Sequence, residues 1–168
     1  MVTVSEVAPA GGGNRRIANI LFNIATILDL AEDNIYRVRA YRRAARRVLA
    51  LREDAALILA RGEELPLAGV GKRVRVKLAE LITSGRLAFY EELLEDQPPH
   101  IRALMAVEGI GPKTAQRLHA GLGVRTVGDL IVAAERQQVQ TLFGFSAVRE
   151  ANLARAARAV AGRLAHVA

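Results

Sequence analysis

The sequence contains no cysteine and no tryptophan, and only 4% of its 168 residues are aromatic. Disulfides, thiol catalysis and cysteine-based zinc sites are therefore excluded. Histidine is scarce too: His100, His119 and His166 are scattered and suggest no metal cluster. Long hydrophobic runs are missing. The most apolar stretch, Ile17 to Ala31, is interrupted by Asn19, Asn23 and Asp29, which makes it too polar and too short to span a bilayer. No basic run precedes an apolar block at the N-terminus, so no export signal is read. No membrane partner is expected, and the expected location is cytoplasmic and nucleoid-associated. What remains is 51% hydrophobic, enough for a core in one domain or two small ones.

Lysine is the next scarcity. Of 24 basic residues only Lys72, Lys77 and Lys113 are lysines, and the net charge is +7. From Asn34 to Arg52 there are seven arginines (37, 39, 42, 43, 46, 47 and 52) and no acid. The rest of the chain holds 17 basic and 17 acidic groups, so this one segment supplies the whole net charge. Its apolar positions Ile35, Val38, Ala45, Val48 and Leu49 recur at helical spacing, with Asn34 as N-cap. Arg39, Arg42, Arg43 and Arg46 then share one face. Such a stripe repels itself unless an anion meets it, and phosphate matches guanidinium bidentately. A solvated face and an acidic protein partner are the competing readings.

Residues 1–13 end in three glycines and read as a flexible tail. Asn14 is expected to cap the first helix, with Ile17, Leu21, Ile24 and Leu28 on its apolar face. Helices are predicted over 53–61, 72–84, 87–95, 101–106, 113–122, 127–136 and 147–165, with a short one through 139–142. Pro98-Pro99 separates a first helical domain, 14–97, from a second, 98–168. No alternating strand is found, so the fold class is all-α.

One grammar recurs. Leu67-Ala68-Gly69-Val70-Gly71-Lys72, Val107-Glu108-Gly109-Ile110-Gly111-Pro112-Lys113 and Phe143-Gly144-Phe145-Ser146 each join two helices through a glycine corner. The glycines permit positive φ, and the apolar residue between them plugs back into the helix pair. Turn amides and the first N–H groups of the second helix then point outward together and donate to a phosphate oxygen. No base edge is contacted, so binding is indifferent to sequence. The third copy lacks its second glycine and reads as mainly structural.

These residues resemble the helix-hairpin-helix modules of the X-family, DNA polymerase beta-like enzymes. The opening helix Asn14 to Leu21, the stretch Tyr36-Arg37-Val38-Arg39-Ala40-Tyr41-Arg42-Arg43, both Gly-x-Gly corners and Lys77-Leu78-Ala79-Glu80-Leu81 fall in that family's order. The resemblance covers about residue 14 to 165. It implies two helix-hairpin-helix subdomains: a lyase-like one that grips the 5′-phosphate side of a gap, and one that holds the primer strand. It implies DNA contacts by Tyr36, Arg37, Arg39, Arg42, Arg43, Arg46, Gly69, Gly71, Lys72, Arg73, Gly109, Gly111 and Lys113. It also places the carbonyls of Leu67 and Val70, and of Met105, Val107 and Ile110, near a Na+ or K+ ion. No other cofactor is required. The family's palm domain, with paired aspartates, has no counterpart among the five aspartates here, so nucleotide transfer is not expected.

In the family a lysine removes 5′-deoxyribose phosphate through a Schiff base, and Lys77 occupies that position. The resemblance sets Arg37, Arg42 and Arg73 near it; a glutamate or water must take the proton, and Glu80, three residues on, is the candidate glutamate. A plain DNA-contact lysine is the alternative. Tyr36 reads as a stacking residue and Tyr41 as core. The expected function is sequence-independent binding of gapped DNA, nicked DNA or single-strand/duplex junctions in repair. The alternatives are a deoxyribose-phosphate lyase acting through Lys77, and an adaptor for a separate repair polypeptide.

Overall fold

The computed structural model describes residues 12–167. The tail expected over 1–13 lies outside them, apart from Gly12 and Gly13, which open the first helix. The described residues hold nine α-helices and a 3-10 turn but no strand, so the fold is all-α. In chain order the helices are α1 (Gly12–Leu30), α2 (Ile35–Leu49), α3 (Ala55–Ala60), α4 (Lys72–Ser84), α5 (Ala88–Glu95), α6 (Pro99–Met105), α7 (Pro112–Leu122), α8 (Val127–Glu135) and α9 (Ala147–Val167). The 3-10 turn, Val139–Thr141, lies between α8 and α9. None of these helices is long and apolar enough to cross a membrane. The chain divides into two compact units between Leu93 and Leu94. The proline pair starts α6, with Pro98 as N-cap and Pro99 as first residue.

In the first unit α1 packs along α2. Ile17, Leu21, Ile24 and Leu28 of α1 and Val38, Tyr41, Ala45 and Val48 of α2 are all buried in one core. Ile35 and Leu49, at the ends of α2, stay half exposed. Asn34 caps α2, its side chain accepting the Tyr36 amide at 2.8 Å.

Asn14 does not cap α1. It lies inside that helix, buried, and serves α3 instead. Its Nδ2 donates to the Glu53 carbonyl at 2.8 Å, and its Oδ1 accepts the Ala55 amide at 2.9 Å. Asp54 is the cap of α3, accepting the Ala56 amide. A Cβ on Gly13 would stand 2.7 Å from the Asp54 carboxylate, which explains a glycine inside α1. A polar residue ahead of an apolar run is an ambiguous cap signal. Here long-range partners 39 and 41 residues away decided its use.

The three corners have one backbone geometry. The plug residue's amide reaches the carbonyl three residues back: Val70 to Leu67 at 3.2 Å, Ile110 to Val107 at 3.1 Å and Phe145 to Leu142 at 3.0 Å. Each closure requires a left-handed residue, supplied by Gly69 (φ 74°), Gly109 (φ 87°) and Gly144 (φ 78°). The following helix then opens on Gly71, Gly111 or Ser146, whose carbonyl takes the amide of Arg75, Ala115 or Glu150. The plugs Val70, Ile110 and Phe145 are buried in their respective cores. The second core gathers Leu104, Val107, Leu118, Leu130, Val139 and Leu153 around the last two corners.

Two outcomes follow for stability. Asn14→Ala leaves two backbone groups unpaired and should lower unfolding free energy by about 2–4 kcal/mol in urea melts. Gly109→Ala should cost about 1–2 kcal/mol through left-handed strain alone, since its Cβ would meet only Leu153 at an ordinary 3.5 Å.

Candidate nucleic-acid interface

A helix start leaves its first N–H groups without intrahelical acceptors. In α4 and α7 the N-cap is glycine and no side chain caps the turn. These first turns carry Lys72 and Arg73 in one unit and Lys113 in the other, all exposed. Proline at the first position of α7 removes one donor from the second corner. The third corner is closed off. Ser146 Oγ accepts the Arg149 amide at 3.1 Å, a side-chain cap that Gly71 and Gly111 do not supply at the other two corners. Arg117 and Arg149 clamp the Phe145 ring at 4.9 and 4.5 Å, and both donate to carbonyls of the turn.

On α2 the side chains of Arg39, Arg42, Arg43 and Arg46 line one open groove with Arg47. The stripe is not wholly unrelieved by acids. Asp29, on α1, pairs with Arg42 at 2.8 Å, and Asp33 pairs with Arg37 at 2.6 Å. Both acids sit just ahead of the segment whose charge was counted, and only the α1–α2 turn brings them back to it. Among the described residues Arg39, Arg46 and Arg47 have no carboxylate partner. Arg43 donates from Nη1 to the Gly69 carbonyl at 3.1 Å. That bond joins the arginine face of α2 to the first glycine corner.

Lys77 is half-buried, one turn and a half into α4. Its Nζ lies 4.8 Å from the centre of the Phe89 ring, and the Arg37 guanidinium lies 5.8 Å from the same ring. Tyr41 stacks on Phe89 with ring centres 6.0 Å apart. Tyr41 is buried, as read from the sequence, and burial pushes its hydroxyl above the ordinary tyrosine range against the opposing charge of Arg37. Of the three cations expected around Lys77, Arg37 shares its ring while paired with Asp33, and Arg42 is engaged by Asp29. Arg73 is exposed on the first turn of α4. Glu80 is not a free helper: its carboxylate accepts the Ala88 amide at 2.9 Å and caps α5. Tyr36 is 75% exposed at the start of α2.

Two residues of this surface were missed in the sequence. Phe89 gave no signal, because an aromatic in a short apolar helix reads as core. Arg75 did give one. Its guanidinium donates to three hairpin carbonyls: Nε to Val70 at 2.9 Å, Nη1 to Leu65 at 2.9 Å and Nη2 to Leu67 at 2.6 Å. Aligning the repeats puts it opposite Ala115, a charge where the sister copy has a methyl group. The Leu67 and Val70 carbonyls, expected beside a metal ion, are thus met by a side chain. The Met105, Val107 and Ile110 carbonyls belong to the second corner, where no arginine stands at the matching position.

Comparison with known proteins agrees with this architecture. Residues 12–87 match the helix-hairpin-helix domain family, and residues 101–159 match the SAM-like helix-hairpin-helix tandem. The second match spans the second and third corners together. The DNA polymerase/3′-5′ exonuclease PolX of Bacillus subtilis (strain 168) is 31% identical over 140 residues. That alignment takes in 83% of this chain and 24% of the relative, so the chain spans about a quarter of that protein's length. With both helix-hairpin-helix units in place and this identity over most of its length, the chain is an X-family polymerase-like helix-hairpin-helix region.

Proposed function

We propose that this chain binds gapped or nicked DNA through its sugar–phosphate backbone, without sequence preference. The helix-hairpin-helix tandem indicates DNA as the partner. The finer reading rests on one observation: the Arg43–Gly69 bond sets the arginine groove beside helix-start amides without a side-chain cap. A phosphate at the corner takes its hydrogen bonds from the main chain of α4, while Arg39 and Arg46 neutralise neighbouring phosphates. The second corner, with Gly109, Gly111 and Lys113, contacts another phosphate, and its Met105, Val107 and Ile110 carbonyls hold a Na+ or K+ ion. Exposed Tyr36 stacks on an unpaired base at the break. Titration of gapped, nicked and intact duplex across a salt series tests this. Gapped and nicked DNA should bind more tightly than intact duplex, and log affinity should fall steeply with log salt. Replacing both Arg39 and Arg46 with alanine should flatten that slope by about 2, since each lost phosphate contact removes about 0.9. Equal weak binding to all three with a flat slope rejects the reading.

A second reading has an observation of its own: Lys77 and Arg37 converge on Phe89. The phosphate of an incised abasic site would pair with Arg37 while the free Lys77 amine attacks the sugar aldehyde. Water leaves as the Schiff base forms, and a base then removes the C2′ proton to expel the 3′-linked phosphate. Borohydride should trap a covalent adduct on incised abasic DNA, and Lys77→Ala should abolish it. An adduct that survives this substitution unchanged, or no adduct from the unsubstituted protein, removes the assignment.

A further inference from the structure

We propose that Arg75 is the resident cation of the first hairpin, holding by covalent attachment the place a monovalent metal ion would take. The carbonyls of Leu65, Leu67 and Val70 converge on one guanidinium, each within 2.9 Å of a different nitrogen. Carbonyls gathered this way concentrate the negative ends of their dipoles and demand either a cation or several donors. Guanidinium supplies both at once, in a rigid planar fork that stays charged at any physiological pH. At those separations no ion fits between the guanidinium and the oxygens. The first hairpin therefore does not fit a metal ion, and its corner is complete without one.

The internal repeat supplies the control. Leu65, Leu67 and Val70 recur forty residues later as Met105, Val107 and Ile110, and Arg75 recurs as Ala115. A methyl group offers no donor, so no side chain at that position serves the second corner's carbonyls. In the third copy the matching residue is Glu150, buried, whose Oε2 accepts the Gln140 amide at 3.0 Å. One position thus bears a cation, nothing polar and an anion in three turns that share the plug bond and the left-handed glycine. A tethered cation cannot be diluted away, because its effective concentration at the site is fixed by the chain. Metal-ion dependence then resides outside the first hairpin. Any consequence of this for DNA affinity rests on the function proposed above, but the identity of the cation does not.

The test uses the full chain without DNA, and thallium(I) as the probe in place of potassium. Crystals grown in thallium acetate should show no anomalous peak at the Leu65, Leu67 and Val70 carbonyls, with Arg75 seated among them. Arg75→Ala should admit a peak there, and its melting temperature should rise with KCl at constant ionic strength more than that of the unsubstituted protein. A thallium peak at those carbonyls in the unsubstituted protein, or a displaced Arg75, overturns the proposal. So does an Arg75→Ala variant that gains neither the peak nor the potassium dependence. If that variant does not fold, the thallium experiment on the unsubstituted protein decides alone. A DNA titration that fails would reject the proposed function and leave these results intact.

Discussion

The architecture depends on one small backbone event, a left-handed glycine that lets the next apolar residue turn inward and bond the carbonyl three residues back. That closure does two jobs. It buries Val70, Ile110 and Phe145 as plugs, so each corner is held by the core beneath it. It also starts the following helix, whose first turn has no side-chain cap among the described residues where the cap is glycine. Stability and binding capacity thus come from opposite faces of the same turn. Only a residue tolerant of positive φ reconciles them.

Around this common turn, side chains assign the copies different tasks. At the first, Arg75 fastens the carbonyl side and Arg43 reaches in from α2, so two arginines that formally belong to a basic surface are partly structural. At the third, Ser146, Glu150, Arg117 and Arg149 consume the polar groups of the turn, leaving it a packing element. The second has neither device. Divergence by side chain on a constant backbone is economical, because the turn's geometry needs only the glycine and the plug.

Net charge and local charge differ here for a physical reason. The chain's +7 localises to Asn34–Arg52 by composition, yet Asp29 and Asp33 neutralise part of it from the preceding turn. What remains without an acid among the described residues, Arg39, Arg43, Arg46, Arg47 and Arg52, is a smaller cationic surface than the stripe of seven arginines implied. It is also better placed, since it adjoins helix-start amides whose partial positive charge adds to it.

Local chemistry was legible in the sequence wherever it acts alone. The span of α4 and the cap at Asn34 follow from backbone preferences within a few residues. So did the all-α class and the repeated corner. Decisions between distant residues were not legible: Asn14 turned from capping its own helix to holding α3, Glu80 spent its carboxylate on α5, and Phe89 came to lie under both Lys77 and Arg37. A sequence fixes what each group is able to bond. Which of several competent partners it meets is set by packing, because burial of the shared core, not the polar contact itself, brings the helices together.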